Sequence, residues 1–515
     1  MAAIVVQEVG VLDSERELLD VRNPADGRVV GRVPNEGPKV VADAVTALRA
    51  AQTAWEALGP KGRGVWLGKL RDWLLDNESR LTDVLQSETV KPRAEAALEV
   101  PFICDVINYY ARNAPAFLAD EKVRASGPMS LPKRLRTVYR PYPVVGVITP
   151  WNFPLAMPGL DIVPALLAGA AVALKPSEVT PLSAVELATG WAEIGAPPVL
   201  RVLTGAGATG AAVVDTVDYI QFTGSTRTGR QVARAAADRL VPCGLELGGK
   251  DPAIVLADAD LEHAAAGVAW GGLFNAGQVC FSVERVYVEA PVYDQFVARL
   301  TAVVESLRQG ADGRGYRVDV GALANQAQRD IVERHVTEAV QAGARVLTGG
   351  KPTGAGTFFE PTVLVDVDHS MSCVREETFG PTIPVIKVAD EDEAVRLAND
   401  TEYGLSASVW TRDRARGERI ARRLDVGAVN INDALFNLFA LTLPHGGWKS
   451  SGIGARLGGA RGIRKYTRMQ AITAPRGPEL QEQILWYPYR PGRGRVVSRM
   501  LRAMVARDLR RRFRR

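Results

Sequence analysis

Val144-Val145-Gly146-Val147-Ile148 opens the stretch that decides the fold. Short apolar runs of the same kind return at 171–174, 219–222 and 252–256, with Ala-rich segments of helical character such as 183–194 and 229–238 between them. Strand and helix alternating from 144 to 255 predict a doubly wound parallel sheet of the α/β class, the usual bed for a dinucleotide. Upstream, residues 1–35 read as short strands and turns, with Asn23-Pro24-Ala25-Asp26-Gly27 as turn chemistry. From Val40 to about Ala111, Trp66, Leu70, Trp73 and Leu74 recur at helical spacing, so several helices are expected. The polar stretch 126–140 is interrupted by Pro128 and Pro132. Downstream, a second α/β unit is expected from about 248 to 446, with strands near 285–289, 385–388, 406–410 and 428–432.

A chain of 515 residues is long enough for two or more domains, and 47% hydrophobic with 23% charged residues is ordinary for a water-exposed globular protein. Four unevenly spaced cysteines, Cys104, Cys243, Cys280 and Cys373, do not form a disulfide framework and fit a reducing compartment. With four histidines and no ligand-spaced Cys/His cluster, no metal is expected. The N-terminus has no basic n-region followed by a long apolar run, and no apolar run is long enough to span a bilayer, so a cytoplasmic body is expected. The net charge of +5 misleads as an average. Residues 491–515 hold ten Arg and one Asp, a local +9 that leaves −4 on the rest, and a nucleic-acid reading of the whole chain fails on that count.

The chemistry gathers around Phe274-Asn275-Ala276-Gly277-Gln278-Val279-Cys280 and Leu245-Glu246-Leu247-Gly248-Gly249-Lys250. A thiolate at Cys280 is a nucleophile, and a carboxylate at Glu246 can deprotonate a water. Taken singly, Cys280 reads as a buried structural thiol and Asn152, ahead of Phe153-Pro154, as a turn residue. They do not stand singly. Thr149-Pro150-Trp151-Asn152-Phe153-Pro154, Leu174-Lys175-Pro176-Ser177-Glu178, Phe222-Thr223-Gly224-Ser225-Thr226, Glu377-Thr378-Phe379-Gly380-Pro381 and Pro444-His445-Gly446-Gly447 accompany them in order. This ordered set, from about residue 20 to 470, resembles the NAD(P)-dependent aldehyde dehydrogenase superfamily, nearest to bacterial succinate-semialdehyde-dehydrogenase-like members.

The resemblance implies roles. Cys280 would attack an aldehyde to give a thiohemiacetal and then a thioester, with Asn152 and the Cys280 N–H holding the oxyanion and Glu246 activating the hydrolytic water. The cofactor would be NAD, with NADP as the alternative. Gly205-Ala206-Gly207-Ala208-Thr209-Gly210 is a literal G-x-G-x-x-G, but the family places this turn nearer the adenosine half and meets the pyrophosphate at Gly224 and Ser225, a helix N-terminus. Lys175 and Glu178 would contact the adenosine ribose, where a carboxylate repels a 2′-phosphate and so favours NAD. Glu377 would hold the nicotinamide ribose and Phe379 pack near its ring, with Thr149, Pro150, Trp151, Ser177 and Leu247 completing the cofactor set. A thiol hydrolase acting on esters would leave these residues without a purpose.

For the substrate, the resemblance implies a tunnel walled by Phe153, Ala156, Met157, Leu160, Val279, Phe281 and the apolar loop 434–441, with His445 where relatives carry an aromatic. The helix at 157–167 has no Arg to clamp a carboxylate. A hydrophobic aliphatic or aromatic aldehyde is therefore expected, with a semialdehyde as the alternative. The implied domains are 1–122 with 141–247 for the dinucleotide, 248–446 for catalysis, and 123–140 with 447–476 as a small β flap joining a homodimer or homotetramer. In the tail 477–515, Val497, Met500, Leu501, Met504, Val505 and Leu509 recur at helical spacing among arginines, and 491–515 is expected to touch membranes as a basic amphipathic helix.

Overall fold

The computed structural model describes residues 4–5, 17–127, 129–478 and 486–512. Two compact units divide the chain, residues 1–117 with 141–466 and residues 118–140 with 467–515. The first carries three sheets, two of them large. One has six strands in the order Gly452–Ile453, Cys243–Glu246, Tyr219–Thr223, Val144–Ile148, Ala171–Lys175 and Leu200–Val202, parallel except for the first. Val144–Ile148, Ala171–Lys175 and Tyr219–Thr223 are buried along their whole length, which is why 144–148 and 171–174 read as unbroken apolar runs rather than alternating ones.

The second sheet has seven strands, in the order Arg345–Thr348, Thr362–Val365, Thr382–Val388, Val283–Glu289, Asp251–Val255, Ser406–Trp410 and Ala428–Ile431. Only its first pair is antiparallel. Helices Pro38–Ala57 and Ala156–Ala168 pack on the central strands of the six-stranded sheet. Ala156–Ala168 is buried on every side, as a helix apolar all round must be. At the other end of the chain, Leu18–Arg22 and Val29–Pro34 pair around a turn in which the Gly27 N–H donates to the Asn23 carbonyl (2.8 Å) and the Ala25 N–H to Asn23 Oδ1 (3.0 Å).

Residues 447–466, assigned from sequence to the bridging segment, belong to the first unit. Gly452–Ile453 adds a strand to the six-stranded sheet, with Glu246 opposite Gly452, and Arg456, Ile463 and Tyr466 are buried there. The second unit begins again at Thr467. It holds a three-stranded sheet of Thr467–Pro475, Lys133–Pro141 and Glu121–Val123, then helix Pro491–Val505 and a turn of helix at Leu509–Arg512. Among the described residues no helix is long and apolar enough to cross a membrane.

Candidate active site

Cys280 follows a turn that most sequences could not adopt. Asn275, Ala276 and Gly277 have φ of 56°, 55° and 73°, three successive left-handed residues. Each non-glycine there costs about 1–2 kcal/mol, so surrounding bonds must hold the turn. They do. The Asn275 N–H donates to Glu95 Oε1 (3.0 Å), its side-chain amide to the Asn152 (3.0 Å) and Gln278 (3.1 Å) carbonyls, and Gln278 Nε2 to the Asn275 carbonyl (2.9 Å). Gly277 is required, since a Cβ there would come 2.1 Å from the Gly380 carbonyl. Asn152 Nδ2 donates to the Gln278 carbonyl at 2.9 Å, which fixes the amide beside Cys280 and leaves one N–H for a second acceptor.

Glu246 ends the strand next to Tyr219–Thr223 and is 4% exposed. Burial raises its carboxyl to about 7, against the pull of Arg456 and Lys465. That puts a general base close to neutral pH. Burial likewise pushes the Cys280 thiol up; Arg456 works against this, while Glu246, Glu377 and Asp251 add to it. The glycine pair after Leu247 allows close approach, because a Cβ on Gly249 would lie 2.3 Å from the Cys280 carbonyl oxygen. Asp251 is buried and its carboxyl is pushed well up by desolvation.

Phe379 (φ 51°) is held by Glu284, which accepts from the Thr378 and Phe379 N–H groups, both at 2.8 Å, and is itself paired with buried Lys250 at 2.5 Å. Gln328 closes the same turn by donating to the carbonyls of Thr378 (2.9 Å) and Phe379 (3.0 Å). Glu377 accepts from the Gly249 N–H at 3.0 Å, and burial followed by the Glu284 charge raises it to about 8.

A cleft of about 770 Å³ gathers these groups. Cys280, Glu246 and Asn152 line it, as do Thr149, Pro150, Trp151, Lys175, Ser177, Glu178, Gly207, Gly224, Ser225, Leu247, Glu377 and Phe379. The residues fit a dinucleotide. Ser225 caps helix Thr226–Asp238, whose first N–H groups point toward an anion site, and Lys175 Nζ lies 2.9 Å from Glu178 Oε2 at the mouth. Thr149 Oγ1 is buried in the lining with no partner, a donor waiting for an acceptor.

Phe153, Met157 and Phe281 line this cleft and also a second, narrow cavity of about 30 Å³, which Val279 and Ala156 join. Its other walls include Phe102, Trp270, Phe274, Leu438 and Phe439, with Glu95 and Glu99 as the charged members and no Lys or Arg. Leu160 and His445, assigned to the substrate from sequence, line neither cavity. Leu160 is fully buried in its helix. His445 sits behind Phe281 with ring centroids 5.4 Å apart, and its Nε2 is 4.0 Å from Glu246 Oε2. Burial, then Arg456 and Lys465, lowers His445 to about 3, so it is neutral. Phe102 and Trp270 carried no sequence signal, because an apolar residue at helical spacing looks the same in a core and in a channel.

The pattern of the aldehyde dehydrogenase family matches residues 11–472. A 4,4'-diapolycopene aldehyde oxidase of Methylomonas sp is 40% identical over 471 residues, covering 91% of this chain and 87% of that protein. A provisionally named NADP-dependent succinate-semialdehyde dehydrogenase of Mycolicibacterium smegmatis is 41% identical over 457 residues, 87% of each. Among solved structures, a Mycobacterium tuberculosis aldehyde dehydrogenase complexed with NAD+ superposes with a TM-score of 0.85 at 36% identity, covering 90% of this chain and 96% of that one.

Proposed function

The chain belongs to the aldehyde dehydrogenase family, and from that premise we propose that Cys280, Glu246 and Asn152 oxidise a hydrophobic aldehyde to its acid, with NAD preferred over NADP. The protein is an oxidoreductase that acts on an aldehyde with NAD or NADP. Cys280 adds as thiolate to the carbonyl carbon, and the free Asn152 N–H takes up the oxyanion. The bound dinucleotide supplies the acceptor for the hydride that leaves this carbon. The thioester left on Cys280 is then hydrolysed by water that Glu246 deprotonates, which frees the acid and the thiolate.

The substrate reading rests on one observation, a narrow cavity of aromatic and aliphatic walls with no Lys or Arg in its lining, where Glu99 already engages the buried Lys91 behind Phe153 at 2.6 Å. A carboxylated aldehyde would bury its charge there without a partner. The Methylomonas relative is named for 4,4'-diapolycopene aldehyde, whereas the Mycolicibacterium one is named for a semialdehyde. The test is an aldehyde panel with NAD and NADP side by side, read at the absorbance of the reduced dinucleotide. Long-chain or aromatic aldehydes are expected to exceed succinate semialdehyde about 10- to 100-fold in kcat/KM. NAD is expected to exceed NADP because a carboxylate at Glu178, in the cleft lining beside Lys175, would repel a 2′-phosphate. The opposite rankings would refute both preferences.

Two partner readings follow. Val123, Leu131, Met469 and Ile472 in the three-stranded unit are exposed, which suits contact with further copies in a homodimer or homotetramer. Helix Pro491–Val505 turns Val496, Met500, Met504 and Val505 outward among arginines, with Trp486, Tyr487 and Tyr489 exposed before it. Such a helix suits an anionic membrane surface, where each basic residue contributes about 1 kcal/mol. Removal of 491–515 is expected to abolish most co-sedimentation with anionic vesicles and to change nothing with neutral ones. Unchanged pelleting with anionic vesicles would end this reading.

A further inference from the structure

Asp161, Arg456 and Lys465 line neither cavity, yet they meet in the wall that carries Glu246. Arg456, 2% exposed, donates through Nη2 to Asp161 Oδ2 (3.0 Å) and to the Thr223 hydroxyl, and its Nη1 lies 3.3 Å from Met157 Sδ. Lys465 Nζ is 3.0 Å from Gln221 Oε1 and 3.5 Å from Asp161 Oδ1, which also accepts from the Tyr466 hydroxyl (3.0 Å). Thr223 is the register partner of Glu246 on the neighbouring strand. Arg456 therefore bonds to a side chain one strand away from the base. Two cations face one fully buried carboxylate, and Arg456 Nε has no partner at all. The wall holds one positive charge more than it compensates.

The surplus sits beside the reacting groups. Arg456 opposes the upward push of burial on both Cys280 and Glu246, and Lys465 opposes it on Glu246. The other titratable groups facing these two are Glu377 and Asp251 on the Cys280 side and Asp161 on the Glu246 side, and a charge on any of them acts in the opposite sense. His445, 4.0 Å from Glu246, is neutral and adds none. Burial lowers Lys465 to about 8, so it is still charged at pH 7 and discharges as the pH rises through that value.

We propose that Arg456 and Lys465 are positioning residues whose one surplus charge, fixed behind the Cys280–Glu246 pair, keeps a single negative charge on that pair and lets it pass between sulfur and carboxylate. The proposal rests on the reading of Cys280 as nucleophile and Glu246 as base. With the thiol protonated, the charge is on Glu246. When the thiol proton moves to Glu246, the charge is on sulfur, which forms the C–S bond. The thioester is neutral, so Glu246 must release its proton to solvent before it can take one from the attacking water. Cleavage of the C–S bond then returns the electron pair to sulfur. Burying a lone negative charge is costly, and a fixed counter-charge offsets that cost at both sites.

The test reads the thiol itself, without aldehyde or dinucleotide. Iodoacetamide alkylation of Cys280 is followed against pH, with Cys280→Ala as the background for the other three cysteines and thermal melting as the check on folding. Lys465→Met removes a positive charge, and its alkylation at pH 7 is expected to be about tenfold slower, a midpoint raised by about one pH unit. Lys465→Arg restores the native profile. Asp161→Asn adds to the surplus and is expected to move the midpoint down. A merely structural role would move both variants the same way, so opposite shifts are the signature. Either folded variant with an unmoved midpoint, or one shifted in the wrong direction, overturns the proposal. A failure of the underlying reading would instead appear as aldehyde oxidation that survives Cys280→Ala.

Discussion

Replacing Cys280 with alanine is expected to lower aldehyde-dependent reduction of the dinucleotide by about 10,000-fold or more, the usual result of removing a covalent nucleophile. No other thiol can take over. Cys104 and Cys373 are buried, and desolvation raises both to about 11. Cys243 lies three residues before Glu246 on the same strand and does not line the cleft. The rest of the site should persist, because the left-handed turn is held by Glu95, Asn152 and Gln278 rather than by the thiol. Dinucleotide affinity, measured by quenching of tryptophan fluorescence, is therefore expected to stay near its native value. Residual activity within tenfold of native would show that the carbonyl is attacked by something else.

The Glu246→Gln variant is expected to fail at a later step. Gln cannot accept a proton from water, so hydrolysis should slow about 100- to 10,000-fold. Acylation should continue at a reduced rate, because the thiol proton must then leave to solvent instead of Glu246, while the carboxylate that raises the thiol is gone as well. The signature is a burst of about one reduced dinucleotide per site followed by a stall, with the acyl group found on Cys280 by mass spectrometry. The pH dependence follows from the raised carboxyl. Only the deprotonated form is a base, and its fraction falls as the pH drops below about 7. Native hydrolysis should thus lose about tenfold per pH unit on the acid side and level off above neutrality, whereas the variant should be flat. Steady turnover with no burst would contradict the assignment.

What the sequence made legible has a common physical basis. Val144–Ile148 lies where an unbroken apolar run puts it, because a strand covered on both faces leaves no polar alternation to misread. The residues expected at the cofactor sit in ordered motifs, and they line one cleft. The charged wall was not legible. Asp161, Arg456 and Lys465 look like surface residues in sequence, and what buries them is mutual pairing across about 300 positions, which no local period records. His445 was taken for a substrate contact since it follows Pro444 in a motif, but its ring turns behind Phe281 toward the base. Gly452–Ile453 has two residues flanked by Ser451 and Gly454, too short for any hydrophobic pattern to mark it as a strand.

That short strand has a consequence for how the protein is made. The strand ending in Glu246 is an edge until residues 452–453 pair with it, more than two hundred positions later. A chain emerging from the ribosome at about 5–20 residues per second therefore exposes the unpaired N–H and C=O groups beside its own catalytic base for roughly ten seconds or longer. Nascent chains halted before that point would present an adhesive border to one another, so chaperone demand should depend on how fast this interval is translated.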